Sequence, residues 1–383
     1  MGKIFERAVE MIKRNKERRE NGLVNCIPFT FKRLEYFLPG VQKSTYTIIT
    51  ASSGIGKSKF TKKIYVIDVV DFVLANPKMG IKVNIMYFCL EEGKEKFICS
   101  IIVYRLYELH KIRRDVKYVM SIRAGKVIED DVIEKIDAME PWFDKFEEIV
   151  DVIDDIKNSF GIFVKMRDFA LKHGHWVYKK ETFKDGDGIE KKIRDYFVPA
   201  HPDHYMIGII DHISLIHPQK GQKSLWEAIS DLSSKHLIEL RDKYYFTIVA
   251  NQQQAADTEK QQYTYKGQSI DSKLEPSLSG LGDNKLTQRD ADEVFGLFAP
   301  ERYEMPMYRD YNIEKLKDNF RSGKILKARD GVPNIRIGFL FNGAVGHISE
   351  LDKASAMTEQ NYEIALNSCG RSQYTDEQRT YEF

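Results

Sequence analysis

Residues Ala51, Ser52, Ser53, Gly54, Ile55, Gly56, Lys57 and Ser58 run consecutively after a short β-branched stretch at 46–50, and helix-forming residues follow from Lys59. Strand, glycine-containing loop and helix in that order make a phosphate cradle. The loop turns successive backbone N–H groups inward, Gly54 and Gly56 permit close approach, and the helix adds its positive end. In such a loop Lys57 would reach the β- and γ-phosphates of a nucleoside triphosphate, and the Ser58 hydroxyl would ligate Mg²⁺. Ala51 stands where most such loops carry glycine, which is the mildest available loss. An ordinary strand-to-helix turn with a surface lysine is the bland alternative, and the flanking strand and helix weigh against it.

Hydrolysis of a triphosphate also needs carboxylates, and two follow apolar runs. Asp211 closes residues 205–210, where a rigidly held carboxylate can bind Mg²⁺ directly or through water. Glu91 closes residues 83–90 and is the candidate general base for an attacking water; Glu92, one residue on, is assigned to solvent. Gln252 ends the run at 246–250, and its amide could sense the γ-phosphate and pass hydrolysis to the loop that follows. Asp211 could instead simply cap a turn at the strand end, and Gln252 could simply cap its strand. Farther on, residues 324–329 and 334–341 flank Asp330-Gly331, a hairpin signal. Lys327 and Arg329 lie two apart and so share one face. That pair suits a finger reaching another subunit's γ-phosphate; a solvated basic edge strand is the alternative.

The elements that must hold these groups alternate strand and helix, with helical patterns at 94–109 and 225–243, as a parallel α/β sheet requires. In such sheets ligands collect at the carboxyl ends of the strands, where the P-loop, Glu91, Asp211 and Gln252 all fall. With 383 residues, 42% hydrophobic and 12% aromatic, the chain is a globular one with room for a large core. A net charge of +2 neither supports nor excludes nucleic acid, so any affinity must come from local lysines and arginines. Cys26, Cys89, Cys99 and Cys369 lack the spacing of a zinc site or a disulfide framework. No run is apolar enough to span a membrane and residues 1–20 are too charged for a signal peptide, so an intracellular protein is expected.

Residues 3–20 put Ile4, Phe5, Ala8, Val9, Met11 and Ile12 on one helical stripe. This helix could open the domain, bind nucleic acid or dock on a neighbouring subunit. Residues 111–202 read as charged helices with few strand signals. Residues 253–289 read as a long mobile loop, and the last 30 residues as a polar tail.

These motifs in this order resemble the hexameric replicative DNA helicases of the DnaB type, over about residues 22–350. The similarity runs through Ile27-Pro-Phe-Thr-Phe-Lys-Arg-Leu34, the P-loop with its Ala51, Phe88-Cys-Leu-Glu91, Ile210-Asp-His-Ile-Ser-Leu-Ile216 and Val249-Ala-Asn-Gln252. It continues through the stretch from Leu278 to Asp292, which ends Asp290-Ala-Asp292, and through Lys327-Ala-Arg329 followed by Asp-Gly. The resemblance implies a RecA-like P-loop NTPase core with Mg²⁺ and ATP, or another NTP or dNTP, as cofactors. It makes Glu91 the catalytic base, lets Lys327 and Arg329 act in trans, and assigns Gly282, Asp283, Asn284 and Lys285 to single-stranded DNA.

It further implies a homo-oligomer, a hexamer in the family, moving 5′ to 3′, with primase, polymerase or a loader as partners in the cytoplasm of a bacterial or phage-infected cell. The family often has Arg at the position of Gly282, and His212 and Ser214 replace its Tyr and Gln. The expected organisation is a linker helix at 1–22, a motor at 23–350 and a tail at 351–383; a motor without the family's N-terminal primase-interacting domain would suit a phage. Two other readings share the core: a RecA-like recombination or repair ATPase, and a nucleotide-binding assembly or loader protein that does not unwind DNA.

Overall fold

The computed structural model describes residues 3–182, 190–255, 264–265, 268–269 and 274–369. Nine strands make one sheet: β1 (Tyr46–Ala51), β2 (Lys82–Cys89), β3 (Val150–Ile153), β4 (His204–Asp211), β5 (Thr247–Gln253), β6 (Glu293–Phe298), β7 (Phe320–Ala328), β8 (Arg336–Asn342) and β9 (His347–Glu350). Their order across the sheet is β9-β8-β7-β6-β1-β5-β4-β2-β3. Neighbours from β6 to β3 are parallel, and those from β6 to β9 are antiparallel. The expected α/β sheet and the hairpin at its far side are therefore both present.

The principal helices are α1 (Lys3–Glu20), α2 (Lys57–Lys62, continued by a π-helical Lys63–Ile67 and by Asp68–Ala75), α3 (Lys94–His110), α4 (Ser159–Lys172), α5 (Leu225–Asp231, π-helical Leu232–Leu237, Ile238–Tyr244) and α6 (Glu359–Cys369). Helices lie on both faces of the parallel half, which is why every residue of β1 and β4 is buried and their sequences read as unbroken apolar runs. The two-residue period still sorts them. Ile49 and Ala51 join the core beneath α2 and α3, and Tyr46 and Ile48 join the core beneath α4 and α5. Phe60, on the first turn of α2, stacks on Phe295 of β6 at 5.1 Å between ring centroids and meets Phe339 of β8 edge-on at 5.7 Å. These rings hold the helix that follows the P-loop against the sheet.

Three regions differ from expectation. Within 111–202 a two-stranded antiparallel hairpin joins Gly174–Thr182 to Glu190–Pro199, hidden in the sequence because lysines and acidic residues interrupt its alternation. The stretch 253–289 is not simply a mobile loop. Residues 256–263, 266–267 and 270–273 lie outside the described residues, but both flanks are pinned, Gln254 by a bridge to Leu281 and Glu275 by a buried ionic cluster. Within the expected tail, α6 buries Tyr362, Ala365 and Cys369 against Leu340 and Phe320; the rest, 370–383, lies outside the described residues.

Glu275 is 1% exposed at its side chain and is bound by Arg336 at 2.6 Å, Lys324 at 2.7 Å and the Tyr308 hydroxyl at 2.7 Å. Burial alone would raise its pKa, but the hydrogen bonds from Arg336, Lys324 and Tyr308 outweigh burial and hold it at about 2. This anchors the far end of the loop that begins after β5 to β7 and β8.

Glu293 is the opposite case. It is buried at the start of β6 with, among the described residues, only the Thr47 hydroxyl donating to it, at 2.9 Å, and burial pushes its carboxyl up to about 7. A folded-state pKa above the unfolded value means the folded chain binds the extra proton, so this stability is present at low pH and is lost as pH rises through about 7. Glu293→Gln keeps the hydrogen bond without the charge. At pH 8 it should raise the unfolding free energy by roughly 1–3 kcal/mol and flatten the decline in thermal midpoint between pH 5 and 8. An unchanged pH profile of melting would refute this assignment.

Candidate active site

Parallel strands bring the ends of β1, β5, β4 and β2 to one edge, in that order. The P-loop leaves β1 there. Gly54 and Gly56 have φ of 71° and 111°, and a Cβ on Gly56 would stand 2.8 Å from the Phe341 ring. Glycine is thus required by both backbone conformation and space. The Lys57 amine is turned into the loop and donates to the Ala51 and Ser52 carbonyls, each at 3.0 Å. Arg321, 4% exposed on β7, braces the loop from outside: its Nε donates to the Ile55 carbonyl at 2.9 Å and its guanidinium lies 4.7 Å over Phe341. No sequence motif marked Arg321, since its partner is 266 residues away.

The two expected metal ligands meet. Ser58 Oγ donates to Asp211 Oδ1 at 3.0 Å across 153 residues of sequence. Asp211 is 4% exposed and is further held by Asn251 Nδ2 at 2.7 Å and by the Tyr87 hydroxyl at 2.5 Å, while Asn251 Oδ1 accepts from Thr61 Oγ1 at 2.7 Å. Sequence reading missed Tyr87, Asn251 and Thr61; a polar residue inside an apolar strand was the available signal for the first two, and Thr61 on α2 carried none. A hydroxyl beside a carboxylate is the hard-oxygen donor set that suits Mg²⁺, which completes its shell with water and substrate phosphates. Among the described residues no group of three or more His, Cys, Asp or Glu forms a denser metal site.

Cys89 lies opposite Asp211 across β2 and β4, and the Leu90 N–H bonds the Asp211 carbonyl at 2.9 Å. Glu91, exposed, therefore leaves β2 directly beside the strand end that carries Asp211. Glu92 does not belong to solvent as expected; it pairs at 2.6 Å with Lys62, whose side chain is 7% exposed on α2. His212 follows Asp211 and lies within the fields of Glu91, Lys57 and Asp283; burial holds its imidazole below the ordinary range against the pull of the two strand-end carboxylates.

Gln252 is fully buried and its amide is committed to residues 282–287. Its Nε2 donates to the Gly282 carbonyl at 2.6 Å and the Asn284 carbonyl at 2.9 Å, and its Oε1 accepts from Thr287 Oγ1 at 2.6 Å. This is the loop half of the expected sensor; contact with a γ-phosphate would require one of these bonds to be exchanged. Of the four residues assigned to nucleic acid, only Asp283 and Lys285 reach solvent. Gly282 and Asn284 are buried because the loop spends their backbone groups on Gln252 and Gln253 and the Asn284 amide on the Trp226 carbonyl.

Lys327 and Arg329 do share a face, and both turn onto the segment 288–292. Lys327 Nζ donates to the carbonyls of Ala291 at 2.6 Å and Gln288 at 2.7 Å, and Arg329 pairs with Asp292 at 2.8 Å. Ala328 lies opposite Glu293, and Glu293 lies opposite Thr47. Arg329 therefore sits at the amino edge of β1, the edge opposite its own P-loop.

Solved structures share this α/β fold over most of the chain. One solved structure, described as "ATPase Domain of G40P", superposes with a TM-score of 0.63 over 91% of this chain and 98% of that one, at 19% identity. The fold is that of a DnaB-like helicase motor domain. A second, "The Structure Of A DnaB-Like Replicative Helicase And Its Interactions With Primase", gives a TM-score of 0.59 at 18% identity, over 91% of this chain and 67% of that one. No protein-family model and no curated protein matches the chain. Among the described residues no helix is long and apolar enough to cross a membrane.

Proposed function

We propose that this chain is the motor of a ring-forming replicative DNA helicase, in which NTP hydrolysis drives movement along single-stranded DNA. The observation that carries this reading is the separation of Lys327 and Arg329 from their own P-loop. β1 has six residues, so at ~3.3 Å per residue the two edges are roughly 17 Å apart. Cations at the amino edge serve a nucleotide only when a second copy presents its P-loop to them. The α1 helix supports assembly as well: Ile4, Phe5, Met11 and Ile12 are 58–74% exposed, while Arg14 and Arg18 tie the same helix to Asp203. An apolar stripe left uncovered by its own domain favours docking on a neighbour over the role of a domain-opening helix.

In this reading the P-loop N–H groups and Lys57 hold the β- and γ-phosphates, Glu91 accepts a proton from the attacking water, and Arg329 of the adjacent chain meets charge developing on the γ-phosphate. Mg²⁺, held by Ser58 and Asp211, would neutralise the β- and γ-oxygens. Gln252 passes the nucleotide state to residues 282–287, whose exposed Asp283 and Lys285 would meet the DNA strand. ATP is the proposed nucleotide, a hexamer the proposed assembly, 5′ to 3′ the proposed direction, and primase, polymerase or a loader the proposed partners, in the cytoplasm of a bacterial or phage-infected cell.

The test is NTP turnover with and without oligo(dT), beside strand displacement on a 5′-tailed duplex. Turnover should rise at least several-fold with DNA and vanish in Lys57→Ala, and the duplex should be displaced. Nucleotide binding without turnover under any DNA condition would replace the motor with a nucleotide-dependent assembly protein.

A further inference from the structure

Trp226 is an exposed indole at the loop that the proposed motor turns toward DNA. It sits in the first turn of α5, whose start is fixed by a capping box: Ser224 Oγ accepts from the Glu227 N–H at 3.2 Å, and Glu227 reaches back to the Lys223 N–H. The helix is thereby rigid where the ring projects. Its neighbours Ala228 and Ile229 are fully buried, but Trp226 is 48% exposed. The other two tryptophans are half-buried and engaged, Trp142 by a hydrogen bond to Asp71 at 2.9 Å and Trp176 by edge contact with Tyr244 at 5.4 Å. Trp226 thus presents a large aromatic side chain to solvent from a capped helix start.

The main chain at Trp226 is bonded to the candidate DNA loop: the Asn284 amide donates to the Trp226 carbonyl at 3.2 Å, and the Asn284 carbonyl in turn accepts from Gln252 at 2.9 Å. Three hydrogen-bonded residues thus link the end of β5, next to the P-loop strand, to the main chain that carries the indole. Exposed Lys220 and Lys223 precede it in sequence, and exposed Lys285 follows Asn284. Cations that can follow a phosphate backbone around a fixed aromatic ring are the components of a single-strand stacking platform.

We infer that Trp226 stacks on a base of single-stranded DNA, with Lys223 and Lys285 holding the adjoining phosphates. This rests on the proposed motor function and adds to it a contact with the base, where the loop residues 282–285 alone supply only backbone contact. It also gives the Gln252–Asn284 bond a consequence: a shift of β5 on hydrolysis moves a group that grips the strand.

The experiment follows intrinsic fluorescence of the full chain titrated with oligo(dT), alongside an abasic strand of equal length, for the wild type, Trp226→Phe and Trp226→Ala. Oligo(dT) should quench the wild type and not Trp226→Phe. Trp226→Ala should bind oligo(dT) about 5- to 150-fold more weakly, while Trp226→Phe, which keeps a stacking face, retains most of the affinity. The abasic strand should bind all three alike, through phosphate, and Lys285→Ala should weaken both strands. A quench that survives in Trp226→Phe, or Trp226→Ala binding oligo(dT) as the wild type does, overturns the stacking inference and leaves the motor reading intact. If no variant binds either strand at low salt, the DNA reading itself falls, and the stacking inference with it.

Discussion

Glu91→Gln lowers the turnover number by roughly 10²–10⁴-fold and leaves nucleotide affinity within a few-fold of the wild type. The expectation comes from position. Glu91 emerges one residue after Leu90, whose N–H bonds the Asp211 carbonyl, so its carboxylate stands beside the strand end that would hold the metal. Glutamine keeps the size and polarity of the side chain and loses only the ability to take a proton. In the proposed motor, binding rests on the P-loop N–H groups, Lys57 and Ser58, none of which this change alters. The neighbouring Glu92 provides the contrast. It pairs with a Lys62 side chain that is only 7% exposed, so Glu92→Gln leaves a buried ammonium short of a partner and should show mainly as lost stability. Single-turnover hydrolysis measured beside equilibrium nucleotide binding separates the two residues. Turnover of Glu91→Gln within threefold of the wild type would remove Glu91 from the chemistry.

Arg329→Ala costs DNA-stimulated turnover roughly 10³–10⁵-fold, the range for loss of a finger arginine, with little change in nucleotide affinity. Its guanidinium pairs with Asp292 in its own chain and is still 52% exposed at the side chain, so it has donors to offer a phosphate brought to it. The sheet register excludes its own nucleotide. Mixing Arg329→Ala with Lys57→Ala chains therefore tests the arrangement directly, because a fraction of interfaces then joins an intact P-loop to an intact finger. Recovered turnover in the mixture, from two inactive parents, is expected. A mixture as inactive as its parents, in rings shown to exchange subunits, would contradict action in trans. Thermal melting of Arg329→Ala accounts for the lost Asp292 pair, which Arg241 continues to hold at 3.0 Å from its other side.

The legible part of this chain is local. The P-loop from Ala51 to Ser58 is contiguous, and glycine, lysine and serine at fixed spacing state their chemistry without reference to anything distant. Apolar runs ending in Glu91, Asp211 and Gln252 were equally plain, because strands covered on both faces must be apolar throughout. The pairing of Gly174–Thr182 with Glu190–Pro199 was not legible, since Phe197 and Trp176 pack inward among charged neighbours and are too few to leave a clean alternation. The helix at 359–369 was missed for a related reason: it buries only Tyr362, Ala365 and Cys369, too few to mark a stripe.

Sequence alone thus determined that a P-loop motif, Glu91, Asp211 and Gln252 follow apolar strands, and that a parallel sheet would collect them at one edge. Tertiary structure decided the rest: that Tyr87 and Asn251 hold Asp211 against Ser58, that Arg321 braces the P-loop, that Gln252 is spent on Asn284, and that Arg329 lies at the far edge from its own P-loop. The physical reason is strand order. Hydrogen bonds between residues 124, 153 or 266 positions apart depend on which strands neighbour one another in the sheet. That order comes from the global packing of two helical layers, and no local propensity encodes it.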